Sequence, residues 1–268
     1  MELSRKDSGE GMADLGELSR ATHPVEAGGE LRMAFQPILD VARGSVYAYE
    51  SLARRPGGTS AADVFLGLEG QELSRMERRL AWEAMAAAAR LQLPGYLCIN
   101  LGSTLLGNEA ALSYLADMAD RAGLSPGRIV WEFPEHLPID VPSWVASHKV
   151  LRDAGFRTAL DDLGAGYASL SVLAAYVPDL VKLDMRLVQG LSAAGHRVRR
   201  KVVGHVAAMA LDLGAEVVAE GVETAEDAEA LLKLGIYLQQ GYLHGRPIVP
   251  STEEDGATGA AERAASVP

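Results

Sequence analysis

Short apolar runs recur along the chain, separated by longer stretches with helical periodicity. The runs are RMAFQPIL at 32–39, VYAYE at 46–50, YLCIN at 96–100, RIVWE at 128–132, FRTALDD at 156–162, LVKLD at 180–184, AEVVAE at 215–220 and IYLQQ at 236–240. They are short, rich in β-formers and free of strict alternation, as buried parallel strands are. Helical patterns lie between them, for example at 76–91 and 198–214. Four helix-like segments end in glycine: RAG at 121–123, DAG at 153–155, DLG at 212–214 and KLG at 233–235. Glycine is the favoured left-handed cap after a helix. Helix, glycine and strand in repetition predict a parallel α/β fold. About eight strands in roughly 220 residues match a (β/α)8 TIM-like barrel. A doubly wound open sheet is the alternative, although no G-x-G-x-x-G turn follows the early strands.

The ends of the chain change the picture little. Residues 1–29 and 251–268 are polar, carry little periodicity and are expected to be disordered tails. Nothing resembling a linker interrupts 30–250, which predicts one barrel domain. The first thirty residues lack the basic start and apolar stretch of a signal peptide. No apolar run approaches the length of a membrane span. The single cysteine, Cys98, sits in an apolar run and is expected to be buried. It excludes an internal disulfide framework and suits a reducing, cytoplasmic setting. Trp82 and Trp131 are expected in the core. A net charge of −11 argues against a nucleic-acid polymer as partner. The basic cluster HRVRRK at 196–201 reads as a solvated helix face, with a partner surface as the alternative.

Candidate chemistry appears where the strands end. The runs terminate at Glu50, Asn100, Glu132, Asp161 with Asp162, Asp184 (after Lys182), Glu220 and Gln240. In a barrel these ends share one rim, so residues scattered along the chain converge on one mouth. Acids after strands often serve as helix caps. That accounts poorly for a series holding several glutamates and a lysine. So many carboxylates in one small site would raise one another's pKa values. Metal cations relieve this. Glu50, Asn100, Glu132, Asp161, Asp162 and Glu220 are all oxygen donors, which suits Mg²⁺, Mn²⁺ or Ca²⁺ better than zinc. Their number suggests two ions, an arrangement suited to displacement at phosphorus. Lys182 is placed to orient or deprotonate a water, or to balance charge. Adjacent Asp161 and Asp162 cannot both face the mouth of a regular strand. Their pairing predicts that the strand ends near Asp161 and that the chain is already turning at Asp162, with GAGYASL as a movable loop beyond.

The motifs in their order resemble those of the EAL-domain phosphodiesterases that hydrolyse cyclic di-GMP. AFQPILD resembles the family's FQPI, and YESLAR the E-A-L segment. INLG, WEFPE, DDLGAGYASL, VKLD, VVAEGVET and QQGYLHGRP follow in the family's sequence. The resemblance covers about 30–250. It implies a (β/α)8-like barrel with one antiparallel strand, holding two Mg²⁺ or Mn²⁺ ions. It assigns metal binding to Glu50, Asn100, Glu132, Asp161, Asp162 and Glu220. It assigns catalysis to Lys182, with Glu50, Glu220 and Glu223. Gln36, Leu52, Arg54, Asp184 and Gln240 would bind substrate, and Glu135 would anchor the loop after DDLG. The implied product is linear pGpG, and a homodimer is a further expectation. Some relatives bind cyclic di-GMP without cleaving it, which keeps a receptor open as the alternative; a scaffold that binds no nucleotide is a third reading. Departures from the family pattern are Ser51 for alanine, Leu163 for phenylalanine, Pro134 for threonine and Gly102 for serine, together with a shortened segment at 55–75.

Overall fold

The computed structural model describes residues 31–55, 62–134, 141–164 and 169–250. Both expected tails, Glu135 and residues 165–168 of the expected loop lie outside this set. The eight apolar runs all form strands: β1 (Arg32–Asp40), β2 (Ser45–Arg54), β3 (Tyr96–Asn100), β4 (Ile129–Pro134), β5 (Arg157–Leu163), β6 (Leu180–Leu183), β7 (Glu216–Ala219) and β8 (Leu238–Gln240). They close into a barrel in sequence order. β1 runs antiparallel to both neighbours, and every other pairing is parallel. The fold is the TIM-like barrel that the strand count predicts, with its one reversed strand.

Helices wrap the barrel: α1 (Ala62–Phe65), α2 (Gly70–Arg90), α3 (Glu109–Ala122), α4 (Val141–Asp153), α5 (Ser169–Ala175), α6 (Met185–Val188), α7 (Arg197–Asp212) and α8 (Ala225–Lys233). The glycines at 123, 155, 214 and 235 all take positive φ after their helices, as the repeated phrase predicts. α2 begins six residues before the apolar pattern does, because its first turns carry mostly polar, solvent-facing side chains. Its buried positions are Glu77, Leu80, Ala81, Ala84, Met85 and Ala88. That spacing is one helical stripe. Trp82 lies off it and is 38% exposed, which corrects the expectation of a core tryptophan. Residue type suggested burial there, but helical phase decided the matter. Trp131 is fully buried, as expected.

Two apolar clusters hold the architecture. The larger fills the space between barrel and helices. The smaller is inside the barrel and takes one residue from each strand: Ile38, Ala48, Cys98, Val130, Ala159, Leu180, Val218 and Leu238. Cys98 is thus a small packing residue in a tight layer, free and buried. The arginines of the 196–201 cluster are partly structural: Arg199 donates to Gln189 O and Arg200 to Leu191 O and Ala193 O, tying down the loop before α7.

Candidate metal centre

The inner apolar layer sets the site by simple alternation. Side chains two residues apart on a strand share a face. Two residues beyond the seven inner residues of β2 to β8 stand Glu50, Asn100, Glu132, Asp161, Lys182, Glu220 and Gln240. On antiparallel β1 the same rim is reached by stepping back two residues, from Ile38 to Gln36. A polar tier therefore sits directly on an apolar one. Of these residues, Gln36, Glu50, Asp161, Glu220 and Gln240 line one cavity of about 320 Å³ together with Leu52, Asp162, Asp184 and Glu223.

Asp162 is the exception to alternation, and a backbone feature makes it one. Pairing between β5 and β6 shifts between Leu160 and Leu163, and Asp162 adopts φ +58°. This bulge aims two consecutive carboxylates at the same space. Oxygens of Asp161, Asp162 and Glu220 lie within 4.8 Å of one another. The chain turns at Asp162 as predicted, but the strand does not end at Asp161. It continues to Leu163, because the bulge absorbs the extra residue and pairing then resumes. Asp162 N donates to Asp161 Oδ1 across the bulge.

Lys182 stands at the centre of the tier, almost wholly buried. Its Nζ lies 2.6 Å from Glu220, 2.9 Å from Glu132, 3.0 Å from Asp161 and 3.8 Å from Glu50. Burial opposes its charge, but the surrounding carboxylates outweigh burial and hold it protonated well above its ordinary range. In this arrangement Lys182 is placed to donate to the carboxylates around it. Burial pushes the Glu132 carboxyl up to about 8, with Lys182 pulling the other way. Burial likewise raises Glu220. Glu132 is fully buried, and neither of its oxygens has a well-directed hydrogen bond among the described residues. Its charge is compensated by the Lys182 ammonium at 2.9 Å, which offsets the cost of burial only in part.

The remaining polar residues brace Glu50. Gln240 Nε2 donates to Glu50 Oε2 (2.6 Å) and to Gln36 Oε1 (3.3 Å), while Gln36 Nε2 donates to Gly245 O. Asn100 Nδ2 lies 3.5 Å from Glu50 Oε1. Ser51 is more than a small replacement, since its hydroxyl donates to Cys98 O and links β2 to β3. Asp184 borders the cavity but is also engaged by the backbone N–H and guanidinium of Arg186. Arg54 is not brought to the cavity. It shares the strand face of Glu50 and Leu52, lies farther along, and donates to Ala53 O. Met185, Gly221, Gly241 and Tyr242 also line the cavity, and strand-end reasoning missed them. Their positions directly after Asp184, Glu220 and Gln240 were the available signal.

The donor set fits divalent cations. It offers several hard oxygen atoms, three of them convergent, and an excess of acids around one ammonium. A TIM-like barrel whose strand ends carry an acidic, oxygen-donor mouth defines the class, and comparison with known proteins agrees with it. The family model described as the EAL domain matches residues 16–247, and the chain belongs to that family. A probable cyclic di-GMP phosphodiesterase of Escherichia coli, PdeB, is 31% identical over 222 residues, covering 80% of this chain and 42% of its own. The cyclic di-GMP phosphodiesterase RocR of Pseudomonas aeruginosa is 30% identical, covering 82% of this chain and 58% of its own. The chain thus spans about half the length of these relatives. A standalone EAL protein of Vibrio cholerae in its c-di-GMP-bound form superposes with TM-score 0.76 at 29% identity, over 83% of this chain and 94% of the other. The manganese and cyclic di-GMP complex of Klebsiella pneumoniae BlrP1 gives TM-score 0.76 at 34% identity, over 85% and 58%. Among the described residues no helix is long and apolar enough to cross a membrane.

Proposed function

We propose that this chain is a metal-dependent phosphodiesterase that hydrolyses cyclic di-GMP to linear pGpG. The observation that carries the reading is the convergence of Asp161, Asp162 and Glu220 above a tier completed by Glu50, Asn100, Glu132 and Lys182. Relatives named as enzymes of this activity support it. Glu50, Asn100, Glu132, Asp161, Asp162 and Glu220 would hold two Mg²⁺ or Mn²⁺ ions. Such ions supply positive charge to the attacking and leaving oxygens of a displacement at phosphorus.

The chain's own groups do the rest. Lys182 donates hydrogen bonds from the floor of the site and keeps the carboxylates from repelling one another. Gln240 and Gln36 fix the rotamer of Glu50. Leu52, Asp184, Glu223 and Gln240 border the space for the nucleotide, with Arg54 available farther along β2. Water adds hydroxyl to phosphorus as the bond to the ribose 3′ oxygen breaks, and that oxygen takes up a proton. One phosphodiester opens and the second remains, giving a linear dinucleotide. A nucleotide messenger as substrate goes with a cytoplasmic location.

Purified protein with Mn²⁺ or Mg²⁺ and cyclic di-GMP is expected to release pGpG. Glu50→Ala is expected to lower kcat/KM on the order of 10²- to 10³-fold. Absence of turnover by folded parent protein would sink the enzyme reading, and tight binding without turnover would make the chain a receptor.

A further inference from the structure

Asn100 is a lightly held donor of the tier. It ends β3, is exposed, and among the described residues its side chain makes one long hydrogen bond, to Glu50. Its position is therefore set by its backbone. On one side the backbone is tied to β4, where Leu101 N donates to Glu132 O at 2.8 Å. On the other side it enters the turn 102–105, and that turn is held by a residue of α2.

Glu77 is a buried carboxylate on the inward stripe of α2. It lies outside the cavity and was not a candidate from sequence. Its Oε1 accepts from Ser103 Oγ at 3.2 Å, and its Oε2 accepts from Thr104 N at 3.0 Å and from Thr104 Oγ1. Three donors from two consecutive residues converge on one carboxylate, which satisfies its charge and locks the turn. Gly102 completes the arrangement. A Cβ at 102 would lie 2.1 Å from Glu77 Cδ and 2.4 Å from Oε2. The φ of Gly102 is not in the left-handed region, so its need is for space alone. The missing side chain at 102 is the room that the carboxylate occupies.

We propose that Glu77 is a positioning residue for the Asn100 corner of the metal centre, acting through Ser103 and Thr104 and made possible by Gly102. The inference rests on the functional reading above, in which Asn100 is a metal donor. Glu77 touches neither metal nor substrate. It joins a helix to the turn three and four residues beyond Asn100, bonding the backbone at Thr104 N, so loss of its hydrogen bonds frees that turn.

The test is Mn²⁺ binding in the absence of substrate, followed by the paramagnetic resonance signal of free Mn²⁺, with a thermal melt of each variant. Glu77→Ala and Gly102→Ala should each weaken Mn²⁺ binding about tenfold, as loss of outer supports to metal ligands does. Glu77→Gln should stay within about twofold of the parent, because its carbonyl accepts from Thr104 while its amide donates to the Ser103 hydroxyl. Glu77→Ala/Gly102→Ala should be no worse than either single change, since each removes the same contact. Ser103→Ala/Thr104→Val removes both hydroxyls from a partly exposed turn and should weaken Mn²⁺ binding even if Glu77→Ala does not fold. At saturating Mn²⁺ the KM for cyclic di-GMP should change little. Variants that bind Mn²⁺ like the parent, or additive losses in the double variant, overturn the inference alone. A parent that binds no Mn²⁺ overturns it together with the functional reading.

Discussion

Asp162 shows how one residue's backbone creates a site. Its φ of +58° lies in the left-handed region. Aspartate tolerates that region better than most residues, and glycine does so freely. The two demands at this position, a carboxylate and an unusual dihedral, can be separated. Asp162→Gly and Asp162→Ala should both lose the proposed phosphodiesterase turnover, since both delete a carboxylate of the proposed metal site. Thermal melts should separate them, with the alanine variant less stable than the glycine variant by about 1 kcal/mol, the cost of the left-handed conformation for a residue with a Cβ. Equal melting temperatures would mean that the chain relaxes at 162 and that the bulge is not required by the fold. Ser51 and Trp82 make the complementary point. Ser51 gains a cross-strand hydrogen bond that its small size did not advertise, and Trp82 is exposed by a shift of one position on its helix.

Within each strand, the step of two residues links packing to chemistry. Leu180 lies in the apolar layer and Lys182 stands above it; the same relation joins Val130 to Glu132 and Val218 to Glu220. The floor of the site is therefore the roof of a small core. Leu180→Ala should cost about 2–5 kcal/mol in denaturant unfolding, the range for emptying a buried leucine site. It should also reduce turnover, because Lys182 loses the support beneath it. A stability loss with unaltered kcat would show that the upper tier is held by its own ionic contacts instead. The element boundaries were largely legible in the sequence: eight apolar runs, four glycine caps and a helix stripe. The bulge in β5 was legible only as a contradiction, two adjacent acids where a strand offers one inward face. Its resolution by continued pairing to Leu163 depended on the neighbouring strand β6.

Across the whole molecule, the chain folds with a net charge of −11 and concentrates acids at one mouth. Without metal this has a pH signature. Glu132 is raised by burial to about 8, from an ordinary value of 4.5. Below about pH 4.5 the group is neutral whether the chain is folded or unfolded, and its contribution is intact. From there to about pH 8 the unfolded chain ionises it while the folded chain resists, so stability is lost as pH rises. The melting temperature of chelator-treated protein should fall between pH 5 and 8 more steeply in the parent than in Glu132→Gln. Saturating Mn²⁺ should abolish that difference, because a cation favours the ionised carboxylate. Calorimetry at pH 7 in buffers of different ionisation enthalpy should accordingly show proton release on Mn²⁺ binding. Identical pH slopes for parent and Glu132→Gln would place the titration elsewhere.

The sequence by itself determined the barrel, the positions of most strands and the residues at their ends. These follow from local rules: the period of apolar positions, the cap after a helix and the polarity of a strand terminus. The motif order also pointed to the family. Tertiary structure alone decided what those residues do to one another. It placed Lys182 among four carboxylates and so kept it charged. It left Arg54 short of the cavity and turned Asp162 inward through a bulge. It also recruited Glu77, a helix residue with no strand-end signal, to hold the backbone beside Asn100. The physical reason is common to all of these. Burial, charge coupling and steric fit are sums over neighbours from distant parts of the chain, and no local pattern contains them.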